Sequence, residues 1–332
     1  MNNSFISSFE PSQVYSVRKW HVLTFCLAFV VSLVVCECLN RHFILTRSSN
    51  VLTFNAFEKE KKEVKMLLIG DSQFLDGIDP HIFPRKTFNL SFLGTDYIQS
   101  YFMLKRQLDE LPALKVLVLQ MNLHSFSSFR SDKVYAPVFW NRFLDYDELV
   151  KLKGWPILRY QFEISFLTDS SGRKSFLINL MDVILGKNVQ EQQKDVREKV
   201  YLVSADPVLA ERRVYFHLKG YKTFDVDLLL YFEKILKLCR DRRIRVFTVQ
   251  TPLSQYYLKA AQNYVTFRDL EEKVLLNPRF QGLIDKNFNY LELFPQKDNY
   301  FQRDGDHLNG YGRDKFSKIL AKALDDLTKP SS

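Results

Sequence analysis

The apolar positions of this chain fall into two repeating patterns. Short, mostly apolar runs typical of buried strands lie at 64–69, 87–90, 116–119, 246–249 and 290–294. Apolar residues at helical spacing lie at 97–108, 223–243 and 313–327. Strands that alternate with helices form a parallel sheet that carries helices on both faces. The pattern therefore predicts an α/β, flavodoxin-like fold with about five strands.

The most apolar segment is 20–39, which follows a 19-residue N-terminal tail. Apart from its cysteines, only His21 and Glu37 in this segment have titratable side chains. A helix of about 20 apolar residues spans the hydrocarbon core of a bilayer, and Trp20 suits its interface. We predict a single-pass transmembrane helix at 20–39, in contact with membrane lipid.

Three interpretations of this segment compete: an uncleaved signal anchor, a cleaved signal peptide, and a lipoprotein signal processed at Cys36. The long N-terminal tail and the lack of a small-x-small cleavage site weigh against cleavage. The three residues before Cys36 are Leu-Val-Val and lack the expected small residue. We favour the uncleaved anchor. Its flanking charges are similar on both sides, so they specify the orientation only weakly.

Residues 40–63 are polar and charged, and we interpret them as a tether to a domain at 64–328. In that domain, Thr223 is placed to cap a strong helix. The region at about 126–222 breaks the alternation of strands and helices, so we interpret it as a helical insertion. Its helical fragments include 146–152 and 175–186, and 187–199 is polar. It could shape access to a substrate or serve only as a structural subdomain.

The net charge of +9 permits contact with an anionic surface, whether lipid, polysaccharide or nucleic acid. The chain lacks zinc-finger spacing, a Walker loop and an RNA-binding aromatic motif, so we expect no nucleic-acid partner. Of the four cysteines, Cys239 is the only one outside the apolar N-terminal segment. That rules out an internal disulfide framework in the domain.

The first candidate for chemistry is Ser72, which follows the first predicted strand in the turn Gly70-Asp71-Ser72. A strand-end turn exposes a hydroxyl at the edge of the sheet. Serine is a weak nucleophile until a base takes its proton, so a partner histidine is required.

Among the six histidines, the best candidate base is His307 in Asp304-Gly305-Asp306-His307, just before the last helix. A carboxylate three residues earlier on a tight turn can hold one ring nitrogen while the other faces a serine. Asp304 is therefore the expected orienter, and Asp306 is its rival. His124 follows the third strand and could also line the site.

These two motifs, in this order, resemble those of the GDSL-type (SGNH) hydrolase superfamily, and the likeness extends over roughly 64–327. The resemblance implies acyl transfer through Ser72, His307 and Asp304. Asp71, Asp306 and His124 are further candidates for supporting residues. The resemblance also implies an oxyanion hole formed by the Ser72 backbone N–H, Gly94 and Asn122. The family's Gly-x-Asn-Asp block is altered here, because Gln120 replaces the glycine and Leu123 the aspartate.

The anchored layout, with Thr251-Pro252 after the fourth strand and His307-Leu308-Asn309 before the last helix, resembles the branch that includes the D-alanyl transfer protein and the alginate O-acetylation proteins. That likeness implies an esterase or O-acyltransferase of envelope polysaccharide or glycolipid, outside the cytoplasm, with no metal or cofactor. Expected partners are a glycan substrate and a membrane-bound acyltransferase. The alternatives are a catalytically inactive envelope protein that binds glycan or a membrane partner, and a nucleic-acid-binding protein supported only by charge.

Overall fold

The computed structural model describes residues 11–39, 48–131, 136–161 and 203–328. The chain divides into two compact units, and the second begins at Ser49. The first contains one long helix, α1 (Pro11–Leu39). Over Lys19–Leu39 its mean hydropathy is 2.6 and none of it is buried, so α1 is long and apolar enough to cross a membrane.

The second unit is built around a five-stranded parallel sheet. The strands are β1 (Met66–Ile69), β2 (Thr87–Asn89), β3 (Val116–Gln120), β4 (Arg245–Gln250) and β5 (Lys286–Asn289). Their order across the sheet is β2-β1-β3-β4-β5, and every neighbouring pair is parallel. This is the flavodoxin-like order, so the predicted fold class is confirmed. Ligands in such sheets bind beyond the carboxyl ends of the strands.

Helices cover both faces of the sheet. They are α2 (Ser49–Glu60), α3 (Ser72–Gly77), α4 (Tyr97–Gln107), α5 (Ser128–Ser131), α6 (Pro137–Trp140), α7 (Tyr146–Lys153), α8 (Pro207–Leu218), α9 (Val226–Asp241), α10 (Gln255–Ala261), α11 (Phe267–Leu270) and α12 (Gly310–Thr328). Alternate residues of β1 enter opposite cores because side chains in a strand have period two. Leu67 belongs to the core that includes α4 and α9, and Leu68 to the core that includes α3 and α12.

The tether predicted at 40–63 is wrong for its second half. Residues 49–60 form α2, and Phe54 and Phe57 on this helix are buried. Phe54 packs edge-on against Phe139 and Phe143, while Phe57 packs against Phe88 beside the sheet. This segment, which ends in a run of charged residues, contains two aromatic residues at helical spacing. Their packing holds the segment against the domain. The domain therefore begins before residue 64.

Two other predicted elements are misplaced. The fifth strand is Lys286–Asn289, not 290–294, where Leu293 N–H instead closes a turn on the carbonyl of Tyr290. An edge strand buries less than a central one, so β5 lacks a continuous apolar run. The cap of α9 is Asp225 rather than Thr223, because the Asp225 carboxylate accepts from two N–H groups of the first turn.

The predicted insertion is helical where the structure describes it. Its described part contains α5 to α8 and a 3₁₀ segment at Trp155–Tyr160. The predicted fragment at 146–152 matches α7. The predictions for 175–186 and 187–199 lie outside the described residues.

The packing of α2 predicts a large cost for truncating Phe57. We expect Phe57→Ala to lower the free energy of unfolding by roughly 3–5 kcal/mol, because it opens a cavity under the sheet. Leu276→Ala is the control, since Leu276 is 59% exposed, and it should change stability by less than about 0.5 kcal/mol. Denaturant unfolding of the full chain in detergent measures both. Equal stability of the two variants would restore the tether interpretation.

Candidate active site

Ser72 lies where β1 ends, near the middle of the sheet. It is the first residue of α3, and the carboxylate of Asp71 caps that helix by accepting from Gln73 N–H at 2.8 Å. The turn is tight: the Asp71 N–H donates to Gln120 Oε1 at 2.8 Å, and a Cβ on Gly70 would overlap that same oxygen. Ser72 is therefore held in place by a glycine and by a side chain from β3.

His307 reaches Ser72 from the loop before α12. His307 Nε2 lies 2.7 Å from Ser72 Oγ, and His307 Nδ1 lies 2.7 Å from Asp304 Oδ2. If neutral His307 donates from Nδ1 to Asp304, Nε2 is left to accept from the Ser72 hydroxyl. The structure thus brings Ser72, His307 and Asp304 together in the predicted order. That is the geometry in which a histidine serves as a general base.

Gly305 shapes the loop that carries His307. Its φ of +71° lies in the left-handed region, and a Cβ there would overlap Ser254 Oγ. The loop is closed by a hydrogen bond from Gln302 N–H to the His307 carbonyl, at 2.8 Å. The glycine between Asp304 and Asp306 therefore lets both carboxylates turn towards the imidazole.

Asp306 is buried beside His307 but does not replace Asp304. Asp306 Oδ1 is 3.0 Å from His307 Nδ1, without hydrogen-bond geometry in the described structure, whereas Asp304 meets that geometry. The other Asp306 oxygen accepts from Arg213 Nε at 3.1 Å. Burial lowers the pKa of His307, but Asp306 and Asp304 outweigh it and raise that pKa well above its ordinary value. The two carboxylates therefore favour the imidazolium.

Asp71 and His124 meet beneath Ser72. His124 Nε2 lies 3.0 Å from Asp71 Oδ2, and Arg130 Nη2 donates to the same oxygen at 2.5 Å. Burial raises the pKa of Asp71, but Arg130 and His124 together lower it well below its ordinary value. Asp71 is thus an ionised, buried cap of α3, which supports the serine turn rather than the reacting atoms.

Asn122 follows β3 as predicted, but its amide serves a polar cluster. Asn122 Nδ2 donates to Gln73 Oε1 and Thr251 Oγ1, and Asn122 Oδ1 accepts from Thr251 N–H at 2.7 Å. Gln120 Nε2 also donates to Gln73 Oε1, at 2.9 Å. In this arrangement both Asn122 N–H groups are engaged within the cluster. Its part in an oxyanion hole therefore stays a prediction and requires Gln73 to move aside.

The other two predicted oxyanion donors are backbone groups. Among the described residues, Ser72 N–H has no hydrogen-bond acceptor, and it lies at the positive end of α3. Gly94 lies in the turn after β2 with a φ of +66°, a conformation that favours glycine. The described hydrogen bonds include none between Gly94 and Ser72, so the role of Gly94 also stays a prediction.

Asp304, Asp306 and His307 are also close enough to one another to be considered as ligands of a cation, since their polar atoms lie within 4.8 Å. Two facts assign them to other partners. Ser72 Oγ takes one ring nitrogen of His307, and the Arg213 guanidinium already supplies a positive charge beside Asp306. We therefore assign the group to the serine site.

A cavity of about 520 Å³ opens beside Asp304. Apolar side chains of Val203, Leu209 and Phe216 line it, together with Arg213. Neither Ser72 nor His307 is among the described residues of its wall. The cavity thus reaches the triad from its carboxylate side.

Comparisons with known proteins do not assign this chain to a family. No family model matches the chain, and no curated protein matches it significantly. Among solved structures, the chain is similar to a Streptococcus pneumonia protein provisionally described as a platelet activating factor. The identity is 13%, the match covers 90% of this chain and 98% of the other, and the TM-score is 0.37. A likeness this distant leaves the function to be argued from the site.

Sequence reasoning missed Gln73, Arg130 and Arg213. Gln73 is adjacent to Ser72, and its hydrogen-bonding side chain beside a candidate nucleophile was an available signal. The loop after β4 was expected at the carboxyl ends of the strands, but the contact of Thr251 with Asn122 was not. The two arginines lie in the insertion, 59 and 93 positions from the aspartates they contact, and no motif marks them.

The close approach at Gly70 predicts a specific defect. We expect Gly70→Ala to destabilise the domain by roughly 1–3 kcal/mol, because the new methyl would meet Gln120 and lie 2.8 Å from Phe74 Cγ. Gly70→Ala with Gln120→Gly should recover part of the loss. Gly77→Ala is the control, since its nearest neighbour, Leu308 Cδ1, would lie 3.6 Å away. Denaturant unfolding measures all three, and equal stability of the Gly70 and Gly77 variants would refute the packing argument.

Proposed function

We propose that this chain is a membrane-anchored serine esterase or O-acyltransferase of the SGNH type that works through an acyl-enzyme on Ser72. One observation carries the proposal: Ser72 Oγ, the His307 ring and the Asp304 carboxylate form a continuous chain with two 2.7 Å contacts. Ser72 comes from one motif, and Asp304 and His307 come from a second motif more than 200 positions later; the fold of the sheet domain brings the two motifs together.

The chemistry follows from these contacts. As Ser72 Oγ attacks an ester carbonyl, His307 Nε2 takes its proton, and Asp304 stabilises the imidazolium. Collapse of the tetrahedral intermediate expels the alcohol, which takes the proton from His307. A water or a sugar hydroxyl then attacks the acyl-enzyme, with His307 again as base, and Ser72 recovers its proton. Water as acceptor makes the protein an esterase, and a sugar hydroxyl makes it a transferase.

Negative charge on the intermediate needs nearby donors. The Ser72 N–H is the best supported of the three, because it is free of other hydrogen bonds within the described structure. We assign Gly94 N–H and Asn122 Nδ2 as the other two on the basis of the resemblance. Release of Asn122 from Gln73 on substrate binding would complete the site.

We place the substrate at the cell envelope, as an acylated or acceptor polysaccharide or glycolipid. The long apolar α1 supports attachment to a membrane, and the net charge of +9 suits an anionic envelope surface. A membrane-bound acyltransferase is the proposed donor partner. The domain would face away from the cytoplasm. Cys239 is the one cysteine beyond the anchor, so the domain needs no internal disulfide there.

One observation favours a second candidate, a catalytically inactive protein that binds glycan or a membrane partner. The amide of Asn122 is occupied by Gln73 and Thr251, and the surrounding block departs from that of the family it resembles. The two candidates differ in whether Ser72 reacts, and a series of substitutions separates them.

The series tests graded losses with a fluorophosphonate probe and a nitrophenyl ester. Ser72→Ala should abolish labelling and turnover, and His307→Ala should be about as severe, because the two residues act as one unit. Asn122→Ala should lose roughly 10²–10³ in rate but keep measurable turnover. Ser131→Ala is the control, since Ser131 is 7% exposed and Ser72 6%. Full biological effect of Ser72→Ala in cells would favour the binding protein.

Orientation has its own test. Reporter fusions after Ser48 should give activity from a reporter that works only outside the cytoplasm, and little from one that works only inside it. A matched fusion at residue 19, before the apolar segment, is the control and should show the opposite pattern. Strong activity of the cytoplasmic reporter after Ser48 would refute the proposed orientation.

A further inference from the structure

An acidic residue directly precedes each member of the Ser72–His307 pair, and both acids are buried. Asp71 precedes Ser72 and is 4% exposed, while Asp306 precedes His307 and is 1% exposed. Buried carboxylates are costly unless they are paired. The partner of Asp71 is Arg130 on α5, and the partner of Asp306 is Arg213 on α8. Both arginines belong to the insertion.

Two buried histidines lie between these ion pairs. His124 contacts Asp71 at 3.0 Å, and His217 Nδ1 lies 3.9 Å from Asp306 Oδ2. Their rings stack with centroids 4.5 Å apart and an interplanar angle of 25°. Burial lowers the pKa of both histidines below the ordinary value, which favours their neutral forms. The result is a row of polar side chains, Arg130–Asp71–His124–His217–Asp306–Arg213, that joins the serine turn to the histidine loop and is buried except for the half-buried Arg213.

Two parts of the insertion are joined by a hydrogen bond beside this row. Ser127, just before α5, donates from Oγ to the His217 carbonyl on α8 at 2.7 Å. His217 Nδ1 lies 3.0 Å from Tyr257 Oη on α10. Arg213 and His217 are four residues apart and so share one face of α8. The helix therefore presents a charged and a neutral side chain together to Asp306.

We propose that Arg213 is a positioning residue of the serine site. Together with Arg130, it lets the insertion hold the two acidic residues that precede the catalytic pair. Arg213 holds the Asp306 carboxylate and offsets its charge. Asp306 then does not displace Asp304 from Nδ1, and it favours the imidazolium less than an unpaired carboxylate at the same place would. This inference rests on the proposed function for its catalytic meaning but not for its electrostatic content.

Several charged and titratable groups of the described structure lie on the elements around His307. They are Asp304 and Asp306 on its own loop, Arg213 and His217 on α8 beside Asp306, Tyr257 on α10 beside His217, and Ser72 with Asp71 at the start of α3. Arg213 is the positive member of this set that contacts Asp306. Its loss would leave Asp306 uncompensated 3.0 Å from the imidazole. Only His307 in its neutral form can accept the serine proton.

The direct test is the titration of His307, followed by NMR in the full chain in detergent micelles with histidine labelled at Cε1. His307→Gln assigns its signal among the six histidines. We expect Arg213→Gln to move the midpoint of His307 to higher pH, because the imidazolium gains an unopposed carboxylate. Arg213→Lys should restore the midpoint, because it returns the charge.

The matched control is Arg212→Gln. Arg212 is the neighbouring residue on α8, carries the same charge, is exposed and also lines the cavity beside Asp304, but in the described structure it is Arg213 that contacts Asp306. Its substitution should leave the midpoint of His307 in place, since solvent screens an exposed charge. Equal midpoints for Arg213→Gln and Arg212→Gln would overturn the proposal. So would a loss of labelling in Arg213→Gln at every pH without a shift, which is the behaviour of a purely structural residue.

A second pair of variants serves if Arg213→Gln does not fold. Asp306→Asn should move the midpoint to lower pH, and adding Arg213→Gln to it should change the midpoint little, because the carboxylate that joins them is gone. The double variant leaves no unpaired buried carboxylate, so we expect it to fold. A large upward shift on adding Arg213→Gln would mean that Arg213 acts on His307 directly, against the proposal.

The rate of fluorophosphonate labelling links the shift to Ser72. In Arg213→Gln it should fall roughly tenfold on the acid side of the profile and approach the wild-type rate at high pH, as expected for a base whose midpoint has moved up. The two readouts separate two failures. If the midpoint of His307 shifts in Arg213→Gln but the probe never labels Ser72 even in the wild type, the proposed function is refuted and this inference is not. Labelling of the wild type without any midpoint shift would refute only this inference.

Discussion

The candidate site depends on one hydrogen bond between two residues that are 235 positions apart, Ser72 and His307. Ser72 lies at the end of a central strand, and His307 lies just before the last helix. That helix packs back on α3 through Phe316 and Leu320, in the same core as Phe74. Everything between the two motifs has to fold around the sheet before they meet. The site is therefore a consequence of the complete fold rather than of a local motif.

A second constraint is the cost of buried charge. The serine turn and the histidine loop each require an acidic residue, Asp71 as a helix cap and Asp306 beside the imidazole. An unpaired buried carboxylate destabilises a protein by several kcal/mol. The insertion supplies an arginine to each of them, and two neutral histidines fill the space between. The insertion, which breaks the alternation of strands and helices, thus supplies the side chains that pair with the buried acids of the site.

The sequence predicted the parts whose signal is local. A continuous apolar run identifies β1, and Gly-Asp-Ser and Asp-x-x-His pick out Ser72 and His307, which the structure brings into contact. Signals that depend on distant partners were invisible: Arg130 and Arg213 acquire meaning only beside Asp71 and Asp306. α2 was missed because a run of charged residues at 58–63 follows Phe54 and Phe57, and β5 because an edge strand has little to bury. Asn122 was found by position, but its engagement with Gln73 could not be read from spacing.

The central claim is that Ser72 carries an acyl group during turnover. The most direct measurement is peptide mass spectrometry of the full-length protein, quenched in acid during reaction with p-nitrophenyl acetate. The account predicts an added acetyl group on the peptide that contains Ser72, lost on further incubation and absent from His307→Ala. Release of nitrophenol at the wild-type rate with Ser72 unmodified, or an equal acetyl yield in His307→Ala, would contradict it.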